Sequence, residues 1–252
     1  MTKPAYLVTS AGRSIAYHRT AARGDREGAP GVVFLGGFRS NMEGTKARWV
    51  EEWARARGYA CLRFDYSGHG ASSGAFEEGC IGDWAEDAVE AVEALTEGRQ
   101  VLVGSSMGGW IALLLARRFP GRVAGLLGIA AAPDFTEAIW EAASPEQREA
   151  ILRDGVAYAP SEYADEPTPI TSRLIEEGRS HLLLDSEIRL DCKVRLLHGL
   201  ADADVPPSTG LRLIEAIEGE DVRLTLVKGV DHRFSTERDL ALIGRELEEL
   251  LG

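Results

Sequence analysis

The sequence predicts an α/β protein with a mostly parallel sheet, helices on both faces and a helical cap insertion. Apolar runs of strand length alternate with helical stretches along most of the chain. Runs such as VVFLGG are continuous rather than alternating, which is typical of strands buried on both faces of a parallel sheet. The alternation stops once, between residues 133 and 191, and then resumes, which indicates an insertion into a single core.

The elements of the core follow from this pattern in chain order. Tyr6 and Val8, followed by Ile15 and Tyr17, alternate with polar residues and predict an N-terminal hairpin around Gly12. Further strands are predicted at VVFL, Tyr59–Phe64, Val101–Val103, Val123–Ile129, Val194–Leu197 and Val222–Val227. Helices are predicted at about 44–57, Asp83–Glu97, Met107–Phe119, Pro207–Ile217 and Glu237–Leu251.

The insertion has a different pattern. It lacks strand signals and contains three predicted helical segments, which are Phe135–Ala143, Pro145–Gly155 and Ile170–Ser180. Trp140, Tyr158 and Tyr163 are aromatic residues of the kind that is usually buried, so the segment is interpreted as folded rather than as a linker. We therefore predict a core formed by residues 1–132 and 192–252, with residues 133–191 as a cap above the carboxyl ends of the strands.

Composition and charge restrict the possible partners. The 252 residues include 28 Lys and Arg against 40 Asp and Glu, which gives a net charge of −12. Such an acidic surface repels phosphate backbones and anionic lipids, so neither nucleic acid nor a membrane is an expected partner. Cys61, Cys80 and Cys192 are too sparse for a disulfide framework and form no CxxC pair, so no structural zinc is expected. With no apolar targeting segment at the start, a cytoplasmic location is predicted.

A serine nucleophile is indicated by the pattern G-x-S-x-G, which occurs twice, around Ser72 and around Ser106. A nucleophile elbow turns sharply from a strand into a helix and exposes the serine hydroxyl at the strand tip. The copy at Gly104–Gly108 follows the strand VLV and enters the helix WIALLLARRF, whereas the other copy lies in a long loop. Ser106 is therefore the candidate nucleophile.

A serine hydroxyl needs a base, and His232 is the favoured candidate among five histidines. It lies between the last predicted strand and the last helix, where a loop would lie level with Ser106. The acid that orients the imidazole is sought after the next-to-last strand, in RLLHGLADADVP. Asp202 is favoured there, Asp204 stays open as an alternative, and Asp134 is a weaker rival.

An oxyanion hole is expected from two backbone N–H groups, those of Phe38 and Met107. Met107 follows the candidate nucleophile, and Phe38 lies in the loop GGFRSN directly after a buried strand. Gly37 would allow the backbone to approach the substrate closely. Arg39 either pairs with a carboxylate or phosphate of the substrate, or is an ordinary solvated or ion-paired arginine.

These residues resemble the α/β-hydrolase superfamily over nearly the whole chain. The segments LGGFRSNMEGTKA, LRFDYSGHGASSG, VLVGSSMGGW and RLLHGLADADVP, together with DHR, resemble its subgroup of acyl-protein thioesterases and acyl-glucuronide esterases. The resemblance implies an α/β-hydrolase fold with a helical cap over the site. It also implies Ser106 as nucleophile, Asp202 as acid and His232 as base, with 232 − 202 = 30 residues between the last two.

The predicted function is that of a serine hydrolase which cleaves carboxylic esters or thioesters through an acyl-enzyme on Ser106. The substrate is expected to be a small molecule or an acylated protein, and neither a metal nor an organic cofactor is required. Two alternatives stay open at this point, namely carbon–carbon bond hydrolysis on the same triad and a non-catalytic binding protein of the same fold. The sequence makes no prediction of the oligomeric state.

Overall fold

A computed structural model describes residues 3–160 and 167–252. The first part of the chain forms the N-terminal hairpin and then alternates between strands and helices as predicted. Its elements are β1 (Ala5–Val8), β2 (Ser14–Thr20), β3 (Gly31–Leu35), α1 (Thr45–Ala56), β4 (Cys61–Phe64), α2 (Ile81–Leu95), β5 (Gln100–Ser105), α3 (Met107–Arg118) and β6 (Val123–Ile129).

The remaining elements comprise the inserted segment and the return to the core. The inserted segment contains α4 (Phe135–Ala142), α5 (Pro145–Asp154), β7 (Val156–Ala159), β8 (Thr168–Thr171), α6 (Ser172–Gly178) and the two-residue strand β9 (Ile188–Arg189). The chain then forms β10 (Lys193–Gly199), α7 (Pro207–Ala216), β11 (Ile217–Glu218), β12 (Val222–Val227) and α8 (Glu237–Leu251).

Eight strands form one sheet in the order β1-β2-β4-β3-β5-β6-β10-β12. The pairs from β4 through β12 are parallel, whereas β1–β2 and β2–β4 are antiparallel. This arrangement confirms the predicted α/β-hydrolase fold class with a mostly parallel sheet. Because the parallel strands share one direction, the loops that follow β3, β5, β10 and β12 all leave the sheet at the same edge.

Helices cover both faces of the sheet, as the continuous apolar strands require. On one face α2, α3 and α7 pack against a core that includes Trp84 and Trp110. On the other face α1 and α8 pack against Val32, Val103 and their neighbours. Alternate residues of one strand supply the two cores, since Val33 and Leu35 face the first and Val32 and Phe34 face the second.

The inserted segment differs from the prediction in one respect. We predicted only helices there, with one over Ile170–Ser180, but β7 and β8 form a two-stranded antiparallel pair and α6 begins at Ser172. Pro169, opposite Tyr158, does not interrupt this pair, because an edge strand tolerates a residue without an N–H donor. Tyr158 was expected to be buried but is 58% exposed, since its neighbour Ala157 takes the inward position of the pleat. Tyr163 lies outside the described residues.

The end of the inserted segment packs with the core. Strand β9 pairs in parallel with β11, and Leu183, Ile188 and Leu190 belong to the larger core cluster. The division into a core of 1–132 and 192–252 and a cap of 133–191 stays a prediction. Among residues 3–160 and 167–252, no helix combines the length and the apolar character that crossing a bilayer requires.

Candidate active site

Ser106 lies on a sharp turn between β5 and α3, where the nucleophile elbow was predicted. Its backbone adopts φ 55° and ψ −120°, a conformation that non-glycine residues rarely occupy. The turn is held on both sides, because the Ser106 N–H donates to the Ile129 carbonyl and the Ser106 carbonyl accepts from Ala132 N–H. The neighbouring strand β6 therefore stabilises a strained backbone that presents the serine side chain at the strand tip.

The glycines around Ser106 are required by close backbone packing. A methyl group on Gly104 would collide with the Gly108 carbonyl oxygen, and one on Gly108 would collide with the Leu35 carbonyl oxygen. Helix α3 therefore begins in direct backbone contact with β3 and β5. The two glycines of the G-x-S-x-G motif are thus required by steric contacts in this fold.

Ser106, His232 and Asp202 come together although they are far apart in sequence. The Ser106 hydroxyl lies 3.1 Å from His232 Nε2, and His232 Nδ1 lies 2.8 Å from Asp202 Oδ2. The imidazole is 16% exposed, whereas the Asp202 carboxylate is fully buried. With Nδ1–H donating to the carboxylate, Nε2 is left as an acceptor for the serine proton.

Asp202 is held as a carboxylate by its surroundings. Burial alone would raise its pKa, but hydrogen bonds from His198, from His232 and from the Val205 N–H hold the pKa well below its usual range. Its second oxygen, Oδ1, accepts from the N–H groups of Asp204 and Val205. Because both oxygens are engaged, the carboxylate has one fixed orientation toward the imidazole.

Two of the alternative candidates, Ser72 and Asp134, have other contacts in this structure, and so does Asp231, the acidic residue next to His232. The Ser72 hydroxyl donates to the Asp65 carbonyl and accepts from Ala16 N–H, so it holds a loop. Asp134 accepts from the N–H groups of two leucines in the inserted segment. The Asp231 carboxylate accepts from the two N–H groups that follow His232 and so shapes that loop.

The loop after β3 lies against Ser106, as the oxyanion-hole prediction requires. A methyl group on Gly37 would lie 3.3 Å from Ser106 Cβ and 4.0 Å from Ser106 Oγ. Phe38 is the next residue along this loop. Met107 opens α3, so its N–H is one of the helix amides without an intrahelical acceptor. The two predicted donors therefore belong to segments that flank the serine hydroxyl.

Arg39 extends from this loop to the inserted segment. Its Nη1 donates to the Pro167 carbonyl at 3.1 Å and to the Thr168 hydroxyl at 3.0 Å, at the start of β8. Its backbone has φ 55°, and its N–H donates to His69 Nε2 at 3.3 Å. Arg39 thus joins the loop that carries Phe38 both to the inserted segment and to the loop after β4.

An aromatic cluster surrounds the Phe38 side chain. The ring centroid of Phe38 lies 4.9 Å from that of Phe76, 5.2 Å from that of Phe135 and 5.9 Å from that of Trp84. Phe38 also packs against the small apolar cluster of the inserted segment, which includes Ile151 and Ile170. The candidate site is therefore apolar on the side where the core meets the insertion.

One group of possible metal ligands exists among the described residues, and it overlaps this site. Ligand atoms of Asp202, Asp204 and His232 lie within 4.8 Å of one another. The closest Asp202 and His232 atoms are already hydrogen-bonded to each other. A cation bound there would compete with that hydrogen bond, so the donor set fits an oriented imidazole better than a metal centre.

The sequence interpretation missed two residues next to the site. Lys46 in α1 donates from Nζ to the Arg233 carbonyl, beside His232, and burial lowers the pKa of this lysine to about 8. His69, one of the four histidines that were not favoured as the base, is buried and accepts the Arg39 N–H. The only signal for His69 was its place in a glycine-rich loop after a buried strand, and Lys46 gave no signal.

We expect His69 to make the protein less stable in acid. Burial lowers its pKa from 6.5 to about 4, so the unfolded chain binds a proton in this range that the folded protein does not. Stability is therefore fully present above about pH 6.5 and falls as the pH approaches 4, by about 3 kcal/mol from this residue.

The measurement is urea unfolding of wild type and His69→Gln at pH 7 and pH 4.5. Between pH 7 and pH 4.5 the free energy of unfolding of the wild type should fall by more than that of His69→Gln, because the variant has no imidazole to protonate in the unfolded chain. Tyr66→Phe, a change in a neighbouring ring, should keep the wild-type pH dependence. Parallel pH profiles for wild type and His69→Gln would contradict the assignment of this pH dependence to His69.

The fold and the elbow define the class of this protein. A family model described as alpha/beta hydrolase fold matches residues 30–160. The chain belongs to this family, and it is a hydrolase.

Relatives over most of the chain point to one branch of the family. The chain is 37% identical to the Homo sapiens protein named palmitoyl-protein thioesterase ABHD10, mitochondrial, over 224 aligned residues. The alignment covers 88% of this chain and 73% of the relative. The Mus musculus protein of the same name is 38% identical over 239 residues, covering 94% and 79%.

Two solved structures are similar over almost their full length. The mouse alpha/beta hydrolase domain-containing protein 10 has a TM-score of 0.89 and 37% identity, covering 99% of this chain and 98% of that one. A putative hydrolase from Agrobacterium vitis has a TM-score of 0.94 and 38% identity, covering 99% of each chain.

Proposed function

We propose that this protein is a serine hydrolase of acyl thioesters and esters, with Ser106 as nucleophile, His232 as general base and Asp202 as the acid that orients it. The observation that carries the proposal is the continuous line of hydrogen bonds from the Ser106 hydroxyl through His232 to Asp202. The names of the relatives support the thioester class, because they describe palmitoyl-protein thioesterases.

The proposed reaction proceeds through an acyl-enzyme. Ser106 Oγ attacks the acyl carbon as His232 Nε2 takes the hydroxyl proton, and the carbonyl oxygen becomes an oxyanion bound by the N–H groups of Phe38 and Met107. The bond from the acyl carbon to sulfur or oxygen then breaks, and His232 gives its proton to the departing thiol or alcohol. Water, deprotonated by His232, attacks the acyl-enzyme, and the bond to Ser106 breaks with return of a proton to its oxygen.

Asp202 acts by stabilising the imidazolium that forms in both halves of the reaction. A buried carboxylate with a lowered pKa stays ionised while His232 carries the proton. Gly37 contributes by its missing side chain, because a methyl group there would occupy space next to Ser106 Oγ that the acyl carbonyl needs.

Labelling with a fluorophosphonate probe and a substrate panel test the proposal together. We expect an adduct on Ser106, and hydrolysis of acyl thioesters and aryl esters that the Ser106→Ala variant lacks. A Ser72→Ala variant is the matched control, since Ser72 lies in the second G-x-S-x-G motif, and it should still be labelled. An unlabelled wild-type Ser106 would favour the non-catalytic alternative, and cleavage of a diketone but of no ester would favour carbon–carbon bond hydrolysis.

The Arg39 side chain either pairs with an anionic group of the substrate or joins the Phe38 loop to the inserted segment, and a comparison of substrates distinguishes these two roles. Because its Nη1 already binds acceptors in the inserted segment, we expect Arg39→Ala to lose about fivefold in kcat/KM on neutral and on anionic acyl esters alike. The measurement compares a neutral acyl ester with one that carries a carboxylate. A loss confined to the anionic ester would show instead that Arg39 pairs with a substrate anion.

The cellular location stays a proposal. The thiols of Cys61, Cys80 and Cys192 are free, which fits a reducing compartment, and the cytoplasm predicted from the sequence is one such compartment. The relatives carry the word mitochondrial in their names, which does not support a purely cytoplasmic location. Cell fractionation with an antibody against the native protein distinguishes the two.

A further inference from the structure

The loop that carries Phe38 is held by a residue outside the triad. Arg39 has φ 55°, a left-handed conformation that a non-glycine residue adopts only when its surroundings stabilise it. The Arg39 N–H donates to His69 Nε2 at 3.3 Å, across 30 residues of sequence. This bond belongs to the peptide unit directly after Phe38, so it fixes the backbone on one side of the proposed oxyanion donor.

The surroundings of His69 favour the tautomer and the ring orientation that accept this hydrogen bond. Its Nδ1 lies 3.1 Å from the Ser67 carbonyl oxygen, which accepts only, so Nδ1 carries the proton and Nε2 is the acceptor. The ring is 3% exposed and lies in an aromatic cage, with centroids 5.1 Å from Trp84, 5.2 Å from Phe76 and 5.7 Å from Tyr66. Burial lowers the pKa of His69 to about 4, so the neutral acceptor form predominates at neutral pH.

The Phe38 side chain is fixed by the same cage. Phe76 and Trp84, which contact the His69 ring, also contact the Phe38 ring. Phe38 is therefore held through its ring by aromatic packing and through its following peptide by His69. On the other side, Gly37 lies against Ser106. A rearrangement of the backbone at Phe38 would therefore have to disturb the aromatic contacts or the Arg39–His69 hydrogen bond.

We propose that His69 is a positioning residue of the oxyanion hole, which keeps the Phe38 N–H aimed at the substrate carbonyl oxygen by accepting the N–H of Arg39. The inference rests on the proposed function, because it assigns His69 a task only if attack by Ser106 turns the carbonyl oxygen of the substrate into an oxyanion. Oxyanion donors act because they are oriented before charge develops, so a loosened donor weakens the transition state more than the bound substrate. The expected signature is a lower kcat with little change in KM.

Two variants at position 69 separate this role from packing. A glutamine places its amide oxygen near the position of Nε2 and can accept the Arg39 N–H. An asparagine reaches only the position of Nδ1 and the Ser67 carbonyl. We expect His69→Asn to lower kcat on an aryl thioester roughly tenfold to hundredfold, a fraction of the effect of deleting a whole donor. We expect His69→Gln to stay within about threefold of wild type, with KM unchanged in both.

A transition-state analogue supplies the second measurement. A trifluoromethyl ketone adds to the serine and places an oxyanion against the two N–H donors, so its affinity should fall in His69→Asn by the same factor as kcat. Tyr66→Phe changes a ring of the same cage without touching the hydrogen bond, so it should leave kcat and inhibitor affinity unchanged. If His69→Asn is too unstable to assay, His69→Phe fills the cage without an acceptor and should show the same loss.

The outcomes separate this inference from the proposed function. Equal kcat in the Asn and Gln variants, or a loss in KM alone, would overturn the role of His69 while the wild type stays active. An equal loss of inhibitor affinity in Tyr66→Phe, which keeps both the ring and the Arg39–His69 hydrogen bond, would overturn the assignment of the loss to that hydrogen bond. A wild-type protein that neither hydrolyses thioesters nor reacts with the fluorophosphonate would overturn the proposed function and this inference with it.

Discussion

The Asp202→Asn variant is expected to lose about 10⁴-fold in kcat on an acyl thioester while keeping its fold. An asparagine still offers an oxygen to the N–H groups of Asp204 and Val205, so the loop keeps its shape. Its amide NH₂, however, faces His232 Nδ1, which favours the tautomer with the proton on Nε2. Nε2, the nitrogen that faces Ser106, then has no lone pair with which to accept the serine proton. Steady-state kinetics, with thermal unfolding as a check on the fold, measures the effect.

Asp204→Asn is the matched control for this experiment. Asp204 lies two residues away in the same loop and was the open alternative for the acid, but the carboxylate that contacts His232 Nδ1 is that of Asp202. We expect Asp204→Asn to keep kcat within about threefold of wild type. A large loss in Asp204→Asn together with an active Asp202→Asn would reverse the assignment of the acid.

The Gly108→Ala variant is expected to be destabilised by about 3 kcal/mol or more. The added methyl group would collide with the Leu35 carbonyl, which is backbone of a central strand and has no side-chain rotamer that relieves the contact. Helix α3 would have to move away from β3, and Ser106 would move with it. Urea unfolding at pH 7 measures the loss, and a low soluble yield is expected at 37 °C.

Gly121→Ala is the control for the general cost of replacing a glycine. Nothing lies within 4 Å of the position that its added methyl group would take. Its free energy of unfolding should stay within about 0.5 kcal/mol of wild type. If Gly108→Ala were as stable as Gly121→Ala, close packing between α3 and β3 would not be what requires the glycine at 108.

The sequence was sufficient to predict the fold and to select the three residues that meet in the site. Strands buried on both faces have a strong signal, and parallel strands bring the loops after β5, β10 and β12 to one edge. A residue that comes directly after one of these strands is therefore expected at that edge of the sheet. Ser106, Asp202 and His232 could be chosen on that basis, and in the structure their side chains lie within hydrogen-bond distance of one another in the order Ser106, His232, Asp202.

The features that sequence reasoning missed depend on contacts between distant segments. The pairing of β7 with β8 involves four residues on each side, too few to give a clear periodic pattern. His69 gains its contact with Arg39 only because two separate loops meet above the sheet. Lys46 reaches the carbonyl beside His232 across 187 residues of sequence. Local sequence patterns carry no information about contacts between residues that are far apart in sequence.

The bonds of Arg39 to the Pro167 carbonyl and the Thr168 hydroxyl have a consequence for engineering the specificity of this enzyme. If residues 133–191 form the predicted cap, exchanging them for the corresponding region of another hydrolase is a direct test of whether they select the acyl chain. Such a chimaera would also remove the acceptors that hold the arginine next to Phe38. A donor region without a hydroxyl at the position of Thr168 would therefore alter turnover as well as selectivity, and the graft should retain that residue.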